Sequence, residues 1–267
     1  MLAVYRAGFA AGTPARGGGS GYAFGMGSPA IDIDAWLAGP LGGILAGQER
    51  AIVAAALECA FGLYCVQVGC WGDCDTFLAH ARTRRAALVA GRPAPGVALI
   101  SEPAALALQS DSVDVMLLPH TLEFAPEPHE VLREAARVLT GDGELVVLGF
   151  EPLGAWALRH AFTRGGCPPG LPRTIPAARL ADWLKLVGFE VGAPSRYLYA
   201  PPLAGRIAAR ARGFLERAGI RVWPRFSGAY LLHARKRMHS MTPVRLRRRM
   251  RTAVIGGLAE PAARRVS

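Results

Sequence analysis

Apolar positions along this chain follow two alternating rhythms. Short uninterrupted runs at 64–68, 86–90, 97–100, 113–118 and 144–149 are bounded by Gly, Pro, Ser or Asp, the pattern of strands covered on both faces. Between them the spacing turns helical. Residues 48–61 form an apolar stretch predicted to be a helix ending at Gly62. Val131, Leu132, Ala135, Val138 and Leu139 recur at i, i+1, i+4, i+7 and i+8, one face of a helix that Pro128 opens. Gly141-Asp142-Gly143 is expected to end that helix with left-handed residues. Leu180, Trp183, Leu184 and Val187 make a further face stopped at Gly188, followed by a single strand across 189–199, a basic helix at 203–218 and a last apolar strand at 228–234. Strands alternating with helices predict an α/β fold, a mostly parallel sheet with helices on both faces that binds ligands at the carboxyl ends of its strands.

The ends of the chain break this rhythm. Residues 1–29 hold eight glycines and no acid, a composition expected to be disordered, which leaves 30–238 as one domain. Residues 239–267 carry seven arginines against Glu260, so this tail holds +6 of a formal net charge of +11. Such a tail is suited to a polyanion, phosphates or an anionic surface, while the body is only mildly basic. With 51% hydrophobic and 19% charged residues the chain as a whole is not a disordered protein. The stretch 51–72 approaches the length of a membrane span, but Glu58 lies in its middle and Gly62 breaks it, so a helix followed by a buried strand is expected and no transmembrane segment. No signal segment stands out. Five cysteines without a CxxC pair, four of them between 59 and 74, suit a reducing, cytoplasmic setting with no metal site.

Candidate chemistry begins in the loop after the first strand, Gln67-Val68-Gly69-Cys70-Trp71-Gly72-Asp73. Glycines there allow a ligand close to the backbone, and a following helix N-terminus attracts negative charge; a tight strand-to-helix turn would use the same residues. A longer pattern lies downstream. Ser112-Val113-Asp114, His120-Thr121-Leu122-Glu123-Phe124, Glu127-Pro128, Leu132-Arg133-Glu134 and Arg137-Val138-Leu139, closed by Gly141 to Gly143, succeed one another as strand, loop, capped helix and turn. This stretch resembles the fourth strand through fifth strand of class I S-adenosylmethionine-dependent methyltransferases, the type 11 group, with looser agreement from about 48 to 236.

The resemblance implies a Rossmann-like, seven-stranded sheet in the order 3-2-1-4-5-7-6 with the last strand antiparallel. It implies S-adenosylmethionine as cofactor. Gln67, Gly69, Cys70, Trp71 and Gly72 would face its methionine part, Glu102 and Leu106 its adenine, and Pro119 and His120 both cofactor and acceptor. His120 is the expected base toward an acceptor hydroxyl or amine, with Glu123 as its partner, a substrate-amine partner or a helix-entry carboxylate. The chain departs from the family in three places: Gln67 stands at the acidic position, Trp71 and Asp73 replace loop glycines, and Ala90-Gly91-Arg92 replaces the acid after the second strand. The expected function is methyl transfer to a small-molecule acceptor. The alternative is an inactive descendant of the fold that binds nucleic acid or another polyanion through its tail.

Overall fold

The structure, a computed structural model, describes residues 33–72, 75–203, 206–223 and 226–237. The expected disordered segment 1–29, the basic tail 239–267, Asp73 and Cys74 lie outside the described residues. In chain order the elements are α1 (Ile33–Ala38), α2 (Pro40–Leu57), β1 (Phe61–Val68), α3 (Asp75–Leu78), β2 (Arg82–Ala90), β3 (Val97–Ile100), β4 (Val113–Pro119), α4 (Thr121–Phe124), α5 (Pro128–Val138) and β5 (Leu139–Phe150). They continue as α6 (Ala155–Phe162), α7 (Ala177–Val187), β6 (Phe189–Val191), β7 (Ser195–Tyr197), α8 (Arg206–Val222) and β8 (Ala229–Lys236).

One sheet runs β3-β2-β1-β4-β5-β8-β6, with β7 also on β8. Strands β1 to β5 are parallel to their neighbours, and β8 runs antiparallel to β5, β6 and β7. This is the expected Rossmann-like order, with β8 as the late antiparallel strand. Alternation along the central strands feeds two cores. Met116, Leu118, Leu145 and Val147 pack under α5 and α7, whereas Val115, Leu117, Val146 and Leu148 pack under α1, α2 and α6. Where the strands are buried on both faces they are mostly apolar, which is why they read as near-continuous runs interrupted by Gln67 and Asp114.

Three local expectations are corrected. The first helix ends at Leu57, and Gly62 belongs to β1. A Cβ there would stand 2.4 Å from that of Asp114, whose Oδ2 accepts the Leu63 and Tyr64 amides at 2.7 and 3.0 Å, so glycine admits a carboxylate that clips β1 to β4. Gly141 and Gly143 take no left-handed backbone. Instead α5 passes straight into β5 through Leu139, at φ −67° and ψ 139°, and the ladder skips from Val113↔Leu139 to Val115↔Glu144, absorbing the intervening residues as a bulge. The single strand across 189–199 is two strands, because Gly192-Ala193-Pro194 interrupts the ladder where proline has no N–H to give. Among the described residues no helix is long and apolar enough to cross a membrane; the stretch after residue 51 is α2 followed by β1.

Candidate functional site

The carboxyl ends of β1, β2 and β4 lie side by side, so the loops that follow them share one edge of the sheet. After β1 the chain turns sharply at Gly69, φ 97°, whose N–H bonds to Val89 O at 2.8 Å. An added Cβ at Gly69 would stand 2.8 Å from Thr121 Oγ1, and that hydroxyl itself bonds to Val68 O. Glycine is therefore required twice at this turn, by conformation and by space. Gly72, φ 67°, completes the loop. Gln67 is buried; its Nε2 donates to Gly69 O at 3.1 Å, and its Oε1 has no hydrogen-bond partner among the described residues.

The turn carries Trp71 inward, where it is 2% exposed. Its Nε1–H donates to Glu49 Oε2 at 2.7 Å, and its ring lies 4.3 Å from that of His120. His120 follows β4 in a left-handed conformation, φ 56°, a strained state for a residue with a side chain. Both its nitrogens are occupied, Nε2 with Glu49 Oε1 at 2.8 Å and Nδ1 with Glu123 Oε2 at 2.9 Å. Phe150 stacks on the imidazole at 4.1 Å and donates its own N–H to Glu123 Oε1 at 2.9 Å. Tyr197 OH reaches Glu49 Oε1 at 3.4 Å. Glu49 and His120 are both 0% exposed.

Burial alone would lower the imidazole pKa, but the Glu49 charge and the hydrogen bonds from both carboxylates outweigh it and raise it to about 9. Burial pushes the Glu123 carboxyl up, against the pull of His120 and the Phe150 amide. At neutral pH His120 is thus an imidazolium hydrogen-bonded to Glu49 and Glu123 and packed against two aromatic rings. Of the expected roles for Glu123, pairing with His120 is the one seen. Glu49 was not anticipated from the sequence. It lies on the stripe Leu45, Val53, Leu57 of α2, so an acid on an otherwise apolar helical face was the available signal.

The other expected residues cluster separately. Glu102 is exposed, its carboxylate oxygens 3.4 Å from where a Cβ on Gly91 would be, so it stands at the end of β2, the place where Ala90-Gly91-Arg92 offers no acid. Leu106 is buried, and its N–H donates to Glu134 Oε1 at 2.7 Å. Arg137 grips Glu134 and the carbonyls of Leu106 and Leu108, fixing this loop onto α5. Pro119 is buried at the end of β4, and Cys70 is half-buried. Beyond Phe150 lies a small cavity of about 10 Å³, room for a single water, lined by Phe150, Glu151, Trp156, His160, Cys167 and Leu171. Among the described residues no group of three or more His, Cys, Asp or Glu has metal-binding geometry.

Residues 60–147, which span β1 to most of β5, match the family of the methyltransferase domain, type 11. The chain is 41% identical over 108 residues to protein YafS of Escherichia coli (strain K12), a stretch that covers 38% of this chain and 42% of that protein. Among solved structures, a chain of the Haloferax volcanii complex containing the Trm112 methyltransferase activator superposes with a TM-score of 0.55 at 16% identity, covering 78% of this chain and 97% of that one. A SAM-dependent methyltransferase from Archaeoglobus fulgidus superposes with a TM-score of 0.53 at 13% identity, covering 76% and 97%.

Proposed function

We propose that this chain transfers a methyl group from S-adenosylmethionine to a small-molecule acceptor, a reading supported by the match of residues 60–147 to the methyltransferase domain, type 11. The observation that carries the reading is the coincidence of the matched family stretch with the shared edge formed by the β1, β2 and β4 loops.

The residues present fit the cofactor at two points. Gln67 holds a buried acceptor oxygen without a partner among the described residues, behind a glycine turn that brings backbone close to whatever lies against it. Glu102 sets an exposed carboxylate over Gly91, free to accept hydroxyl hydrogen bonds. Gln67, Gly69, Cys70 and Gly72 would hold the amino-acid end, and Glu102, Leu106 and Pro119 the adenosine end. When bound, the cofactor supplies an electrophilic methyl on a sulfonium sulfur. The protein's part is alignment, which can account for about 7–11 kcal/mol of barrier lowering without any base.

His120 serves this alignment. As an imidazolium that donates both its N–H groups and is fully buried, it has no lone pair with which to take a proton from an acceptor. We therefore assign it a positioning role: it fixes the turn after β4, the Trp71 ring and Phe150 as one unit. Phe150, stacked on His120, carries that unit to the small cavity lined by Trp156 and His160.

Calorimetric titration with S-adenosylmethionine and S-adenosylhomocysteine tests the reading directly. Binding in the micromolar range is expected for both ligands. Absence of heat and of competition at high micromolar concentration would overturn it.

A further inference from the structure

Helix α8 has two opposite faces of different character. Glu216, its only acid, points inward: its carboxylate accepts the Tyr199 and Ala200 amides at 2.9 and 3.1 Å and the Gln48 side-chain amide at 3.1 Å. Gly219, one turn on, packs so closely on Tyr199 that a Cβ would fall 2.4 Å from the tyrosine Cβ. These contacts fix which side looks out. Arg210, Phe214, Arg217 and Arg221, at i, i+4, i+7 and i+11, form the outer stripe, and all four are exposed. Phe214 is 68% exposed, Ile220 beside the stripe 58%, and Trp223, just past the helix end, 59%. None of the three arginines pairs with an acidic side chain among the described residues.

We propose that this outer face docks the protein on an anionic phospholipid surface. Three unpaired guanidinium groups with no acid among them complement a layer of lipid phosphates, each basic residue near such a surface contributing about 1 kcal/mol. Charge alone would suit any polyanion. The apolar groups decide between them: Phe214 lies within the stripe, and Ile220 and Val222 on its two flanks are more than half exposed, side chains that cannot stack on bases and gain by leaving water for hydrocarbon. Phe214 and Trp223 are the residue types that settle at the boundary between headgroups and acyl chains. An amphipathic helix anchored by its opposite side is the geometry of a protein that lies on a bilayer rather than crossing it.

The test is co-sedimentation of the full chain with vesicles of phosphatidylcholine alone and of phosphatidylcholine mixed with phosphatidylglycerol, beside salt elution from a heparin column. Pelleting with the anionic vesicles only is expected. The Arg210→Gln, Arg217→Gln, Arg221→Gln triple variant should lower the partition coefficient about a hundredfold. A Phe214→Ser, Ile220→Ser variant should lower it tenfold or more while eluting from heparin as the parent does. All five positions are exposed, so unfolding midpoints equal to the parent's certify that each variant is folded. Failure of the full chain to pellet with anionic vesicles would overturn the proposal. So would either variant pelleting as well as the parent, since the C-terminal basic tail is intact in both.

Discussion

Replacing Glu49 by Gln removes one charge from the buried cluster while keeping its shape. The amide oxygen can still accept the Trp71 indole N–H, and the amide NH₂ can donate to an uncharged His120 ring. In the parent protein His120 stands at about 9 against 6.5 for a free imidazole. That difference of about 2.5 corresponds to roughly 3 kcal/mol of stability. A raised folded-state pKa means the folded protein binds the proton more tightly than the unfolded chain does. The contribution is therefore complete below about pH 6.5 and lost as pH rises through about 9. Glu123, also raised, titrates with the same sign and offers no opposing slope. Urea unfolding at constant ionic strength from pH 6 to pH 8.5, below the range in which the raised thiols of Cys65 and Cys167 add a falling slope of their own, should thus show a fall of roughly 2 kcal/mol in the parent, and under about 1 kcal/mol in Glu49→Gln. A parent whose stability is flat across that window, or a variant with the parent's slope, would refute the imidazolium assignment.

Three further outcomes are expected. Gly69→Ala forces a side chain into left-handed backbone and onto Thr121 Oγ1, and should cost about 1–3 kcal/mol in denaturant unfolding while weakening S-adenosylmethionine binding in calorimetry. Trp71→Phe keeps the ring but leaves Glu49 Oε2 without its donor, for a loss of about 1–3 kcal/mol read in the same unfolding assay. Glu102→Gln should leave the unfolding midpoint unchanged, because the side chain is exposed, and weaken cofactor binding about tenfold by isothermal titration.

The central strands were legible because strands covered on both faces leave mostly apolar runs, and the helix beginning at Pro128 because its face is periodic; the strand order came from the family resemblance. What escaped were features fixed by distant partners. Gly62 reads as a stop until Asp114, on a neighbouring strand, is placed against it. Gly141 and Gly143 read as a turn, yet pairing with β4 draws them into a bulged strand. In the candidate site, His120 and Glu123 are three residues apart and their pairing could be anticipated. Glu49 lies 71 residues from His120, and only the parallel sheet brings α2 over the β4 turn. Trp71 reads as a substituted loop glycine; that its ring goes inward depends on the positive φ of Gly69 and Gly72, which no side-chain pattern announces.

Strand β8 closes the sheet after everything it touches has been made. Both β6 and β7 pair with β8 alone, and β5 has no second neighbour without it. On a ribosome, Phe189 emerges 40 residues ahead of Ala229, an interval of roughly 2–8 s at ordinary elongation rates. Throughout it the nascent chain carries an open, fully apolar β5 edge from Leu145 to Leu148. Synthesis that halts before residue 229 strands half of the sheet, and such fragments are natural substrates for chaperones and proteases.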